Sequence, residues 1–365
     1  MNKFSLGEWV ISVSPLSRPE KLMIEVTMKC NLSCSYCFRN STNEYFGTMG
    51  KELYDKIVND AKEARVKWFI FSGWGEPLTH PNILEFIKEA KEAGIKVVLN
   101  TNGTLLKKFN KYLIDLDVDE VVVSVDAAEA EVHGKLRGGN LIEIINGLIE
   151  LYELRRRYSH LMRVGLEFTL TRLNRHELPK LIELAKKVGA SYVRLSNIIP
   201  VRKELEDQAC YNDEECRRDV GKYMDTVSKL SLEHNVQVYQ TNLELKAQRA
   251  CPFAMHKAMF IRWDGLVTPC IHYAHDYVFW LFGIERRVYK VVFGDLHKES
   301  ITDIWLNPDY VKFRFRALTG YQPSCLDCVL VEYCNLTLNN IIDCWANTPT
   351  CAHCPFIYGL TACPL

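Results

Sequence analysis

Three cysteines fall within eight residues, Cys30-Asn-Leu-Ser-Cys34-Ser-Tyr36-Cys37, directly after an apolar run. Thiols this close in sequence can converge on one metal centre. The CX3CX2C spacing is not the paired CX2C of a zinc ribbon. Three thiolates would also leave the fourth iron of a [4Fe–4S] cluster without a protein ligand, open to a chelating substrate or cofactor. A zinc ion completed by a distant residue, or plain buried thiols, are the other readings of the same residues.

A larger set lies toward the other end. Nine of the fourteen cysteines occupy residues 251–365: Cys251, Cys270, Cys325, Cys328, Cys334, Cys344, Cys351, Cys354 and Cys363. Two clusters, if fully ligated, need eight thiolates. A zinc ribbon built from Cys325/Cys328 and Cys351/Cys354 is the competing reading. Cys210 and Cys216 sit in a polar stretch outside every motif and read as free thiols. His272 and His275 follow Cys270 closely; they are either packing histidines or acid/base groups lining a cavity. Arg155, Arg156 and Arg157 read as a solvated cap complementing a helix dipole, not a nucleic-acid patch.

The elements that position these residues can be read from periodicity. Strand candidates are 21–27, 67–72, 96–101, 120–126, 163–170 and 192–197, rich in β-branched and aromatic residues and mostly unalternating, as strands buried on both faces should be. Between them lie amphipathic segments such as LYDKIVNDAKEA, NILEFIKEAKEAG and ELPKLIELAKKVG, with Gly94 and Gly189 where helices should end. Six strands each followed by a helix predict parallel βα units with right-handed crossovers, in an open sheet or a full or partial barrel. Either way a ligand lies at the carboxyl ends of the strands.

Composition bounds the rest. With 365 residues the chain has room for two or three domains, and 45 basic residues against 45 acidic ones remove any general electrostatic case for nucleic acid or an anionic membrane surface. The first residues lack the apolar stretch of a signal peptide, and YVFWLFGI is too short to span a bilayer. The expectation is a cytoplasmic protein whose thiols bind metal in a reducing compartment. The cysteine shift divides it into an extension (1–19), a core (20–248) and a cysteine-rich domain (249–365), the last two packed together.

The cysteine loop, with Tyr36 just before its last thiol, resembles the signature of the radical S-adenosylmethionine (SAM) enzymes. Ser72-Gly73-Trp74-Gly75-Glu76-Pro77 is similar to the family's GGEP segment, Asn100-Thr101-Asn102-Gly103 to its NTNG turn, Ser124-Val125-Asp126 to its ribose-contacting segment, and His133 through Arg137-Gly138-Gly139 to its HxxxRG stretch. The four fall in order at successive strand ends. The resemblance implies a partial (βα)6 TIM-like barrel, with Cys30, Cys34 and Cys37 holding a [4Fe–4S] cluster. It also implies that Tyr36, Gly75, Glu76, Asn102, Ser124, Asp126 and Arg137 surround SAM. The spacing Cys251…Gly265-X4-Cys270…Cys325-X2-Cys328-X5-Cys334 resembles the SPASM extension, which implies one or two auxiliary [4Fe–4S] clusters. The chain departs from that pattern in the nine residues between Cys334 and Cys344 and in the extra Cys351-X2-Cys354 pair. In sulfatase-maturing relatives an aspartate follows the GX4C cysteine; here Ile271 stands there.

Over nearly its whole length, including Cys344-Trp345-Ala346-Asn347 and Cys351-Ala352-His353-Cys354-Pro355, the chain most resembles maturases of tungsten cofactor oxidoreductases. That implies reductive cleavage of SAM in maturing a tungsten–pterin cofactor or its oxidoreductase, with a low-potential electron donor such as ferredoxin. A peptide- or protein-modifying maturase forming thioether or carbon–carbon crosslinks is the alternative enzyme. A non-catalytic zinc or iron–sulfur scaffold is the alternative outside enzymes.

Overall fold

The computed structural model describes residues 2–6, 8–246 and 251–365. The boundary expected between residues 248 and 249 lies outside the described residues. In chain order the strands are β1 (Asn2–Leu6), β2 (Trp9–Val13), β3 (Lys21–Ile24), β4 (Trp68–Phe71), β5 (Lys96–Thr101), β6 (Glu120–Ser124), β7 (Arg163–Leu170), β8 (Tyr192–Asn197), β9 (Gln237–Tyr239), β10 (Ala258–Ile261), β11 (Leu266–Thr268), β12 (Tyr277–Leu281), β13 (Ile284–Val288) and β14 (Gly294–Asp295). Ten of them form one sheet in the order β14-β11-β10-β3-β4-β5-β6-β7-β8-β9, unclosed at both ends.

From β3 to β9 each strand pairs in parallel with the next, and a helix crosses over between them: α1 (Lys51–Ala64), α2 (Ile83–Glu92), α3 (Leu106–Asp115), α4 and α5 (Ala130–Arg137, Leu141–Arg157), α6 (Leu178–Lys187) and α7 (Glu214–His234). The helices follow from their spacing. On α1 the buried residues Leu53, Tyr54, Ile57, Val58, Ala61 and Ala64 recur every three or four positions and face the sheet. Gly94 and Gly189 take left-handed φ just past α2 and α6, where the sequence places them. The partial (βα)6 barrel is therefore present, as six βα units in an open sheet.

Two features were not legible beforehand. The expected extension at residues 1–19 contains a hairpin of β1 and β2. More consequential is β10, from the cysteine-rich half, which pairs in parallel with β3 and carries antiparallel β11 and β14 beyond it. The second half thus continues the sheet of the first. One expectation is corrected: Cys210 and Cys216 are not free thiols but form a disulfide, S–S 2.09 Å. Both are buried, Asp213 caps α7 by accepting from the Cys216 N–H at 2.6 Å, and the two Cα atoms lie 5.1 Å apart. Arg155 is half-buried and donates through Nη1 to the Gly189 carbonyl just past α6 at 3.0 Å, so it ties α5 to α6 and is not a solvated cap, whereas Arg156 and Arg157 are exposed. No helix among the described residues is long and apolar enough to cross a membrane.

Candidate functional site

The chain leaves β3 for the Cys30–Cys37 loop, and hydrogen bonds from the turn after it, from α4 and from the end of β5 set that loop's shape. Arg39 donates through Nη2 to the Leu32 carbonyl at 2.7 Å, and the Leu136 carbonyl accepts from the Ser35 N–H at 2.9 Å. Asn102, just past β5, donates through Nδ2 to Asn31 Oδ1 at 2.8 Å and approaches Cys30 Sγ at 3.7 Å. Burial pushes the Cys34 thiol up to about 11; Arg137 opposes this, while Cys37, Asp126 and Cys30 add to it. A thiol in that setting carries its proton unless a cation compensates its charge. Iron ions supply that compensation, so the loop fits a metal cluster better than a lone nucleophile.

The residues expected around SAM are brought together, but several are already engaged. Glu76 is buried, and its carboxylate accepts from Leu78 N–H, Thr101 Oγ1 and Asn102 N–H at 3.0, 2.7 and 2.6 Å. It therefore splices the loop after β4 to the end of β5. Burial pushes its pKa up against these bonds. Gly75 serves backbone packing: a Cβ there would fall 2.2 Å from the Thr27 carbonyl oxygen and 2.6 Å from that of Lys29. Asp126, at the end of β6, accepts from Thr169 N–H at 2.7 Å, from Tyr36 Oη, and from Arg137 Nη1 at 3.0 Å. Tyr36 and Arg137 thus tie the cysteine loop to β6. Arg137 Nε has no partner.

All three loop cysteines, with Tyr36, Gly75, Glu76, Asn102, Ser124 and Arg137, line one cavity of about 280 Å³ at the strand carboxyl ends. Asp126 stands behind Tyr36 and Arg137. The buried Asn100 Oδ1, also on the wall, lacks a partner. Three thiols on one wall with unmatched polar atoms beside them fit a cluster and a chelating ligand.

The opposite wall comes from the other half of the sequence. His272, Tyr277, Phe356, Thr361 and Ala362 face the same cavity. Tyr277 Oη lies 2.5 Å from His272 Nδ1, while His272 Nε2 is buried without a partner. Glu167, Asn197 and Trp74 also line it. Trp74 stands in the Ser72–Pro77 motif and the closeness of His272 to Cys270 was visible, but sequence motifs missed Glu167 and Asn197, although a carboxylate inside the apolar β7 run is the signal that could have marked Glu167. His275 is buried away from the cavity, bonded to Glu25 and Glu44.

The remaining cysteines fall into two groups. The charge neighbours of Cys325 are Cys344, Asp343, Cys334 and Cys328. Those of Cys351 are Cys354, Cys251 and Cys270, and those of Cys270 are Cys354, Cys251 and Cys363. The CX2C pairs Cys325/Cys328 and Cys351/Cys354 belong to different groups. A tetrahedral zinc site needs sulfurs about 3.8 Å apart. Among the described residues the one trio of ligand atoms within 4.8 Å is Glu129, His176 and Glu177, with no cysteine in it. The thiols are spaced more widely than one ion demands.

Family models match both halves of the chain. The radical SAM superfamily model matches residues 24–185, and the SPASM iron–sulfur cluster-binding domain model matches residues 251–329. The chain is 33% identical over 351 residues to the tungsten-containing aldehyde ferredoxin oxidoreductase cofactor-modifying protein of Pyrococcus furiosus, covering 94% of this chain and 97% of that one. It is 29% identical over 256 residues to a probable GTP 3',8-cyclase of Methanococcus maripaludis, covering 68% and 83%. Among solved structures it is similar in fold to Streptococcus suis SuiB bound to S-adenosylmethionine (TM-score 0.62, 18% identity, 87% of this chain and 72% of that one). It is also similar to anSMEcpe with bound AdoMet (TM-score 0.60, 20% identity, 87% and 84%).

Proposed function

Because the chain belongs to the radical SAM superfamily and carries a SPASM iron–sulfur domain, we propose that it is a maturase acting on a tungsten–pterin cofactor or on the oxidoreductase that holds it. The observation that carries the site is the single cavity where Cys30, Cys34 and Cys37 meet residues from successive strand ends. The observation that favours the substrate is the 33% identity to the Pyrococcus furiosus cofactor-modifying protein over nearly the full length of both chains.

In this reading Cys30, Cys34 and Cys37 hold a [4Fe–4S] cluster that leaves one iron open for SAM. When bound and reduced, the cluster and SAM together supply a carbon radical able to remove hydrogen from an unactivated position. The chain's part is placement. Asn102 steadies the Cys30 loop, Asp126 fixes Tyr36 and aims Arg137, and Arg137 offers its remaining donors to a carboxylate. On the far wall His272, held by Tyr277, presents Nε2 to the substrate. Cys325, Cys328, Cys334 and Cys344 hold one auxiliary cluster, and Cys251, Cys270, Cys351 and Cys354 a second, with Cys363 at its edge. The electron donor is a low-potential carrier of the ferredoxin type, and the cytoplasm is the compartment that keeps these thiols reduced.

The test is direct. Anaerobically purified protein, reduced with dithionite and given SAM, forms 5'-deoxyadenosine, and Cys34→Ala abolishes it. Incubation with a tungsten oxidoreductase from a strain lacking this protein restores oxidoreductase activity. If SAM is cleaved but the oxidoreductase is unchanged, the substrate assignment fails and a peptide-modifying role takes its place.

A further inference from the structure

Glu25, just past β3, is buried, and its two oxygens serve two parts of the molecule. Oε1 accepts from the Trp74 N–H at 2.8 Å, and Oε2 accepts from His275 Nε2 at 2.9 Å. His275 belongs to the cysteine-rich half and is itself buried. Its other nitrogen, Nδ1, lies 3.0 Å from Glu44 Oε2. One imidazole thus bridges two carboxylates that come from either side of the cysteine loop. Its ring stacks obliquely on Trp74, centroids 4.5 Å apart.

Trp74 is the middle residue of the loop Ser72–Glu76 and lines the cavity. It also stacks on Phe38, the residue after Cys37, with centroids 5.6 Å apart. The loop lies so close over Glu25 that a Cβ on Gly73 would fall 2.4 Å from Glu25 Cγ. Glu25 is therefore both the seat and the tether of this loop, and His275 is what holds Glu25.

We propose that His275 is a positioning residue for the SAM site: from the second half of the chain it fixes Glu25, through Glu25 the backbone of Trp74, and so the shape of the loop that walls the cavity beside the cysteines. The proposal rests on reading that cavity as the SAM site. It explains why the cysteine-rich half extends the sheet next to β3, since the end of β10 brings Arg262 to Glu44 and the segment after β11 brings His275 to Glu25 and Glu44.

The charges around the imidazole are consistent with a protonated ring. Burial alone lowers its pKa, but the charge and hydrogen bond of Glu25 and the bond to Glu44 outweigh this and raise it; Arg262 opposes them. Glu44 also meets Arg262 Nη2 at 2.9 Å and Lys290 Nζ at 3.2 Å. Arg262 pairs in turn with Asp264 at 2.8 Å, and Lys290 with Asp276 at 3.6 Å. With both nitrogens protonated, each carboxylate has a donor. As pH rises through the raised pKa one N–H is lost, and one carboxylate is left facing a lone pair.

The experiment uses full-length, anaerobically reconstituted protein and SAM alone. SAM affinity is measured by equilibrium dialysis from pH 6.5 to 9.5, with iron content and the effect of SAM on the EPR spectrum of the reduced cluster. His275→Phe keeps an aromatic ring beside Trp74 but removes both bonds. It raises the SAM Kd roughly ten-fold, the range seen when a supporting hydrogen bond behind a ligand set is lost, with iron content unchanged. Glu25→Gln still accepts from Trp74 and can donate to a neutral imidazole. It weakens SAM binding less than His275→Phe does and loses the alkaline fall that wild type shows. The proposal is overturned if His275→Phe binds SAM as wild type does, or if Glu25→Gln and wild type have superposable pH profiles. Should His275→Phe lose iron, the Glu25→Gln profile decides alone. Wild-type protein that does not bind SAM would sink the reading of the cavity instead.

Discussion

Arg137 Nη1 lies 3.0 Å from Asp126 Oδ2, with the arginine side chain 11% exposed and the aspartate wholly buried. Tyr36 Oη bonds to the same carboxylate oxygen. Three segments, the cysteine loop, the end of β6 and the end of α4, therefore meet on one oxygen. Asp126→Asn removes the charge while keeping the shape, leaving a guanidinium buried without a counterion. Breaking one side of a buried pair costs about 3–5 kcal/mol. The variant should unfold at a clearly lower temperature and bind SAM more weakly, whereas Arg137→Lys should weaken SAM binding more than it lowers stability. Thermal unfolding and equilibrium dialysis check both; equal losses of affinity and stability in the two variants would show that Arg137 has no part in the ligand.

The difference between what the sequence disclosed and what it did not is physical. The core strands read clearly because burial on both faces demands unbroken apolar runs, and 96–101, 163–170 and 192–197 coincide with β5, β7 and β8. The cysteine loop read clearly because its ligands are contiguous. The pairing of β10 with β3 could not be read, since four residues of strand carry no partner label. Nor could the Glu25–His275 bond, whose partners lie 250 residues apart. Glu76 was legible as a site residue, but its bonds to Thr101 and Asn102 show the carboxylate joining two strand ends. The Cys210–Cys216 disulfide was misread because a polar stretch outside every motif gave no sign of pairing, whereas the turn between Cys210 and the start of α7 brings the two sulfurs together.

The grouping of the auxiliary thiols makes iron content informative. Three [4Fe–4S] clusters give about 12 iron per chain. Cys344→Ala or Cys351→Ala should each lower that by up to one cluster's worth, while the double variant should lose both auxiliary clusters. Cys363 is absent from the charge neighbours of Cys351, but its own include Cys251 and Cys354 of the second group. With that cluster assigned to Cys251, Cys270, Cys351 and Cys354, Cys363→Ala should retain full iron. Iron and sulfide analysis with Mössbauer spectroscopy separates the cases, and loss of a cluster in Cys363→Ala would place that thiol in the ligand set in place of one of the four.

Gly75 offers a sharper test of packing against ligand contact. Its Cβ position is taken by the Thr27 and Lys29 carbonyls, backbone atoms that no rotamer change can clear. The Glu76 N–H also donates to the Lys29 carbonyl at 2.9 Å, so the loop is bonded where it is crowded. Gly75→Ala should cost about 1–3 kcal/mol through overpacking and shift the segment leading into Cys30. Reduced cluster retention on anaerobic gel filtration, together with a lower unfolding temperature, is the expected result. A stable variant with full iron and only a weaker SAM affinity would mean that the glycine instead makes room for the ligand.

Acid should weaken the fold before the carboxylates are reached. His133 on α4 is fully buried, and both its ring nitrogens lack partners. Burial, with the nearby Arg137 charge, pushes its pKa down to about 4, Asp126 opposing. The unfolded chain, near 6.5, binds a proton that the folded chain refuses, so the contribution of this group is present above about pH 6.5 and lost as pH falls toward 4. Within that window the slope is about 1.4 kcal/mol per pH unit. His133→Leu removes the titrating group and leaves no donor or acceptor unsatisfied, because the imidazole had no partner to lose. Urea unfolding at pH 7.0, 6.0 and 5.0 should show wild type losing stability faster than the variant, with the two close together at pH 7.0. Parallel losses would mean that His133 is protonated in the folded chain, and then a carboxylate of its surroundings, Asp126 being nearest in charge, would have to reach it.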